Sequence, residues 1–209
     1  MIKAVLFDLD GTIIDTNELI EMSFKHAFKV HLNEDRTSEE VTKFFGQPLR
    51  DSFISYGEDT ADRMIKTYRD FNEAIHDEGC KEFEGVKETL EFLKAKGIKL
   101  AIVTSKRRVL AERGMNLFDL RKYFDAIVTP EDTAEHKPKP GPVLKACELL
   151  GVAPNEAMMV GDSHFDLMSG KTAGAKTCGV RYTALPIKWL EECEPDYFID
   201  SIDGMKKIV

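Results

Sequence analysis

Five short apolar runs, at residues 2–7, 99–103, 126–128, 157–160 and 176–180, recur along the chain with helix-like stretches between them. Near-continuous runs of this length suit strands buried on both faces, whereas a strand with one wet face alternates polar and apolar residues. Their regular alternation with helices predicts a doubly wound, mostly parallel α/β sheet. The helices carry their own punctuation. Val86, Leu90 and Leu93 share a face that ends near Gly97, and Val143, Cys147 and Leu150 share one that ends at Gly151, with Pro142 suited to a first turn. Residues 195–199 predict one further edge strand, followed by a helix-like tail.

Between the first and second runs the pattern changes. From Thr16 to Gly79 there is no convincing strand, only helical stripes, the clearest being Ala61, Met64, Ile65, Tyr68, Phe71 and Ile75. An all-helical block of that length exceeds an ordinary crossover. It is expected to form an inserted second domain over residues 16–79, leaving an α/β core of residues 1–15 and 80–209, with hinges at the two junctions.

The composition removes several classes of function. At 209 residues, 43% hydrophobic and 32% charged, the chain can bury a core without staples. Its longest uninterrupted apolar runs are four residues, against the ~18 that a membrane span requires. The first ten residues meet Asp8 and Asp10 instead of the apolar stretch of a secretion signal, so a cytoplasmic location is expected. A net charge of -8 argues against nucleic acid as a partner. Any anionic substrate must therefore be met by a metal ion and a few local cations. Cys80, Cys147, Cys178 and Cys193 form no C-x-x-C pair, and inert thiols are expected. No oligomeric state follows from these features.

Open parallel sheets bind ligands beyond the carboxyl ends of their strands. There the chain places Asp8, Asp10 and Gly11 after the first run, and Thr104, Ser105, Lys106 and Arg107 after the second. Lys137-Pro138-Lys139-Pro140 precede the Val143 helix, and Gly161, Asp162, Ser163 and Asp166 follow the fourth run. Asp8 and Asp10, two apart in an extended segment, would face one cavity and need a counterion. A hard octahedral cation held by carboxylate and carbonyl oxygens, Mg²⁺, suits them, with Asp162 as facing ligand and Asp166 reaching the ion or its waters. A Thr104 hydroxyl can donate to a phosphoryl oxygen, and Lys137 can balance the charge on a transferring phosphoryl group. Each feature also has a plainer reading: a turn at Asp10-Gly11, a helix cap at Ser163 or Thr104, a solvated loop at Lys137, His136 and His164.

Taken together and in order, Phe7-Asp8-Leu9-Asp10-Gly11-Thr12, Thr104, Lys137-Pro138 and Gly161-Asp162-Ser163 with Asp166 resemble the four motifs of the haloacid dehalogenase (HAD) superfamily. The helical block resembles the small helical cap of its phosphoglycolate phosphatase-like and β-phosphoglucomutase-like members. Asp15-Thr16-Asn17, Gly46-Gln47-Pro48-Leu49, Tyr68-Arg69-Asp70-Phe71-Asn72 and Glu194-Pro195-Asp196-Tyr197 are similar to the PpaX-type inorganic pyrophosphatases of Gram-positive bacteria. The resemblance implies a HAD-type Rossmann-like core and a phosphohydrolase. Asp8 would be the nucleophile, forming an aspartyl-phosphate, and Asp10 the acid and base. Mg²⁺ would lie between Asp8, the Asp10 carbonyl and Asp162, with Asp166 orienting ligands. Thr104, Ser105, Lys106 and Lys137 would bind substrate from the sheet, and Gln47, Arg50, or Lys106 with Arg107 could hold a distal anionic group, though Arg50 is more readily paired with Asp51 or Glu58. The expected reaction is hydrolysis of pyrophosphate. The alternatives are a phosphatase of a small phosphorylated acid or sugar such as phosphoglycolate, a β-phosphoglucomutase-like mutase, and a non-catalytic phospho-receiver.

Overall fold

Strand β1 (Ala4–Phe7) is buried along its whole length, because the chain surrounds it on four sides. In the computed structural model, which describes all 209 residues, β4 (Lys99–Val103) and β6 (Ala157–Gly161) pair with it on either edge. With β5 (Ala126–Val128), β7 (Lys176–Val180) and β8 (Tyr197–Ile199), the order is β5-β4-β1-β6-β7-β8, every pairing parallel. The period of two along each strand sorts side chains between two cores. Val5, Phe7, Leu100 and Ile102 pack with Val86, Leu90 and Leu93 of α6 (Val86–Ala95) and with Met115 of α7 (Arg108–Leu117). Ala4, Leu6, Ala101 and Val103 pack on the other face with Val143, Ala146, Cys147 and Leu150 of α8 (Gly141–Leu150). Helix α9 (His164–Ala173) lies beside α8 against β6 and β7.

The expected strands are all present, and α8 ends at Gly151 in the left-handed conformation. Two features differ from the sequence reading. A two-stranded antiparallel ribbon, β2 (Ile14–Asp15) with β3 (Lys81–Glu82), joins the points where the chain leaves and re-enters the sheet layer. Strands of two residues are too short to leave a periodic signal. The tail forms 3-10 turns over Ile202–Lys207, with Ile202 and Met205 buried.

Between the ribbon strands run α1 (Asn17–Leu32), α2 (Ser38–Thr42), α3 (Leu49–Phe53), α4 (Glu58–Ala74) and α5 (His76–Gly79). Helices α1 and α4 pack together: Phe24, Phe28 and Phe53 bury with Ala61, Met64 and Ile65, and the Phe24 ring meets Tyr68 edge-on at 4.8 Å. This apolar cluster continues into the sheet layer through Leu167, Leu185 and Leu190, the last on α10 (Ile187–Glu191). At the same junction Gly46 (φ 80°) sits so close to Ser163 and Phe165 that a Cβ would lie 3.0 Å from the Ser163 side chain. No helix is long and apolar enough to cross a membrane.

Candidate active site

The sheet's hydrogen-bond ladder runs one residue beyond its strands at the carboxyl end. The Asp8 amide donates to the Val160 carbonyl (2.9 Å), and the Thr104 amide to that of Val128 (3.0 Å). Because β1 and β6 are neighbours, Asp8 and Asp162 face each other, each only 6% exposed. The loop after Asp10 passes directly over Asp162. Gly11 makes this possible twice over: its φ is 76°, and a Cβ there would overlap the Asp162 carboxylate.

Lys137 reaches the same point from the loop before α8. Its ammonium donates to Asp166 Oδ1 (2.6 Å) and to the Val103 carbonyl (3.1 Å), and it stands 3.0 Å from Asp8 Oδ1. The last is a buried ion pair. Asp166 is committed on both sides, since its Oδ2 accepts from the Ser163 amide (3.1 Å) and hydroxyl (2.6 Å) in a capping box that starts α9. It thus acts as a strut between the helix and Lys137. Asp8, Asp162 and Asp166 can each bring a carboxylate oxygen within 4.8 Å of the others. Burial raises the pKa of Asp8, reinforced by Asp166 and Asp10 against the pull of Lys137; burial, Asp166 and Asp8 raise that of Asp162 well above the usual carboxylate range. Burial alone would lower the pKa of Lys137, but Asp166 and Asp8 hold it above its ordinary value. One lysine against three buried carboxylates leaves a deficit of positive charge. This cluster of buried carboxylate oxygens fits a divalent cation with oxygen ligands.

The Asp10 carboxylate lies outside that group. Its Oδ1 accepts from the Thr16 hydroxyl and from Lys106 Nζ, both at 2.8 Å. Thr104 is buried, and its hydroxyl accepts from the Lys106 amide (3.1 Å). A cavity of about 150 Å³ joins these residues: Asp8, Asp10, Asp162, Thr104, Ser105, Lys106 and Arg107 line it from the sheet, and Asn17, Gln47, Tyr68, Arg69 and Asn72 from the helical block. Gln47 donates to the Ser52 hydroxyl (3.1 Å). Arg50 stands apart, paired with Asp62 (2.7 Å) and Glu58 (3.0 Å), and lines a neighbouring cavity of about 470 Å³ that also touches Lys137. Thr16 and Arg69 fall in the segments that resemble the PpaX-type enzymes, but neither is given a role by the sequence; Arg69 sits three residues before Asn72 on α4, at the polar border of the Met64–Tyr68 stripe.

A parallel sheet that gathers carboxylates and one buried lysine at its strand ends, under a helical roof, defines a class of α/β hydrolases. Residues 5–180 match the haloacid dehalogenase-like hydrolase family, and the chain belongs to it. It is 56% identical over 200 residues to the PpaX protein of Clostridium perfringens, covering 96% of this chain and 94% of the relative. To the pyrophosphatase PpaX of Bacillus cereus it is 43% identical over 208 residues, covering 100% and 96%. The crystal structure of a predicted phosphatase from Clostridium acetobutylicum superposes with a TM-score of 0.89 at 31% identity, covering 100% of this chain and 98% of that one.

Proposed function

We propose that this hydrolase cleaves inorganic pyrophosphate to two phosphates in a Mg²⁺-dependent reaction, in the cytoplasm, with residues 16–79 acting as a cap over the strand ends. The observation that carries the reading is the position of Asp8: buried at the end of the central strand, facing Asp162 and 3.0 Å from a buried lysine. An anion held in this way is set up as a nucleophile. The size of the cavity supports a small substrate, since about 150 Å³ is half the lower end of the ~300–1,000 Å³ typical of drug-sized ligands. Relatives over the full length carry the name pyrophosphatase PpaX.

In the reaction, an Asp8 oxygen attacks one phosphorus in line, the bridging P–O bond breaks, and the other phosphate leaves with the bond's electrons and with the proton that Asp10 carries at the start. Water then attacks the aspartyl-phosphate, Asp10 takes a proton from it, and the Asp8 carboxylate is restored as the second phosphate departs. Lys106 and Thr16 hold the Asp10 carboxylate in place for that step. Lys137 balances charge on the phosphoryl oxygens and on Asp8, and Thr104, Ser105 and Lys106 border the space they would occupy. Mg²⁺, held by Asp8, Asp162 and the Asp10 carbonyl, would supply Lewis-acid neutralisation of the phosphoryl oxygens when bound.

The test is phosphate release from pyrophosphate, phosphoglycolate, sugar phosphates and nitrophenyl phosphate, with Mg²⁺ and after chelation. Pyrophosphate should give the highest kcat/KM, and chelation should abolish turnover until Mg²⁺ is returned. A higher kcat/KM for phosphoglycolate or a sugar phosphate would move the assignment to that substrate class. Full activity without a divalent ion would remove the metal from it.

A further inference from the structure

The cavity holds a cation that the reaction above leaves idle. Lys106 is engaged by Asp10 (2.8 Å), and Arg107 touches Glu73 (3.4 Å). Arg69 has neither an ion-pair partner nor a hydrogen bond, although its neighbours on α4 do: Lys66 pairs with Asp70, and Arg63 bonds Thr60. Its side chain is exposed at the edge of the cavity, which Arg107 also lines. Partial burial, and then the nearness of Arg107, hold the Arg69 pKa below its ordinary value, against an opposing pull from Glu131. Two cations brought together at the mouth of an enclosed space repel each other until an anion lies between them.

Their location says which anion. Arg69 and Arg107 line both the small cavity that holds Asp8 and Asp162 and the larger one beside it, so they stand at the boundary between the two. The phosphoryl group that Asp8 attacks has Lys137 for its charge. A second anionic group attached to it would meet Arg69, which has no carboxylate partner, and Arg107 if that side chain exchanges Glu73 for it, because Lys106 is taken by Asp10 and Arg50 by Asp62 and Glu58. A guanidinium suits that task, since its planar fork grips phosphate or carboxylate through two parallel hydrogen bonds. Arg69 is carried on the helical block and Arg107 on the sheet layer, so an anion between them would also tie the two together.

We propose that Arg69, assisted by Arg107, is the specificity determinant of this enzyme: it holds a second anionic group lying just beyond the reacting phosphorus. The favoured substrates are accordingly compact dianions, a diphosphate or a phosphorylated carboxylate, over esters with a neutral leaving group. The proposal rests on the phosphohydrolase reading above and adds the residue that selects the substrate.

Arg69→Ala, Arg69→Lys and, as a control from the same helix, Arg63→Ala would be assayed with pyrophosphate, phosphoglycolate and nitrophenyl phosphate, after thermal melts show that each variant is folded. Arg69→Ala should lower the ratio of kcat/KM for pyrophosphate to that for nitrophenyl phosphate by roughly 10–100-fold, the size of a lost charge-assisted hydrogen bond. Arg69→Lys should fall between Arg69→Ala and wild type, and Arg63→Ala should leave the ratio as it is. If phosphoglycolate is the better wild-type substrate and its ratio is the one that collapses, the arginine clamp stands and the pyrophosphate assignment falls. If the wild type prefers pyrophosphate but Arg69→Ala leaves the ratio unchanged, whether both substrates drop together or neither does, the clamp is overturned and the pyrophosphate assignment survives.

Discussion

Asp8 has two opposed requirements: the proposed attack on phosphorus needs it ionised, yet its surroundings favour the proton. Burial, with Asp166 and Asp10 nearby, pushes its pKa from the ordinary 3.8 up to about 7 in the metal-free protein. The folded state then holds a proton that the unfolded chain has released. Its contribution to stability is therefore complete below about pH 4 and is lost as the pH rises towards about 7. Asn cannot ionise but fills the same space. Asp8→Asn should accordingly gain on the wild type in metal-free melting temperature as the pH climbs through that window, while turnover is lost. Comparing the two proteins cancels the carboxylates held low elsewhere, such as Asp125 beside Lys94. Mg²⁺ favours the ionised form, so it should narrow the gap. Parallel melting curves across this pH range, with and without Mg²⁺, would mean that Asp8 is not under this strain.

At the scale of elements, the first turn of α9 fastens the site together. Ser163 caps the helix, Asp166 returns the bond, and the other Asp166 oxygen holds Lys137. Ser163→Ala removes the cap hydroxyl, which at an N-terminus costs about 0.5–2 kcal/mol. For a protein of this size, that corresponds to a drop of roughly 1–8 °C in melting temperature. A plain cap would show only that drop. Here kcat should fall as well, because Asp166 loses the 2.6 Å bond that keeps it aimed at Lys137. Melting curves and steady-state kinetics on one preparation separate the cases, and an unchanged kcat would reduce Ser163 to a structural cap. The strand ends were legible in the sequence for the same reason that they work: each buried strand is an uninterrupted apolar run, so the first polar residue after it marks the end of the sheet. Asp8, Thr104 and Asp162 could be found in this way. The β2–β3 ribbon could not, since two residues per strand carry no period.

Over the whole molecule, the site exists only where two layers meet. Asp8, Thr104, Lys137 and Asp162 come from the sheet, but Gln47, Arg69 and Asn72 come from the helical block, and Gly46 sits in contact distance of Ser163 and Phe165. Contacts of this kind depend on how the block lies over the sheet, which no local pattern records. The expected pairing of Arg50 with Glu58 is present, joined by Asp62, so its place as an anion ligand falls away, and it is Arg69 that the fold brings to the cavity. The sheet-borne half of the site supports covalent chemistry at Asp8, and one measurement examines it directly. Asp10→Asn, which should slow hydrolysis of the proposed intermediate, would be mixed with pyrophosphate and Mg²⁺, quenched in acid within milliseconds, digested, and weighed by mass spectrometry. A phosphoryl group should appear on the peptide that contains Asp8, and should be missing from Asp8→Asn treated in the same way. Turnover of pyrophosphate by Asp8→Asn at the wild-type rate, with no phosphorylated peptide in either protein, would contradict the account.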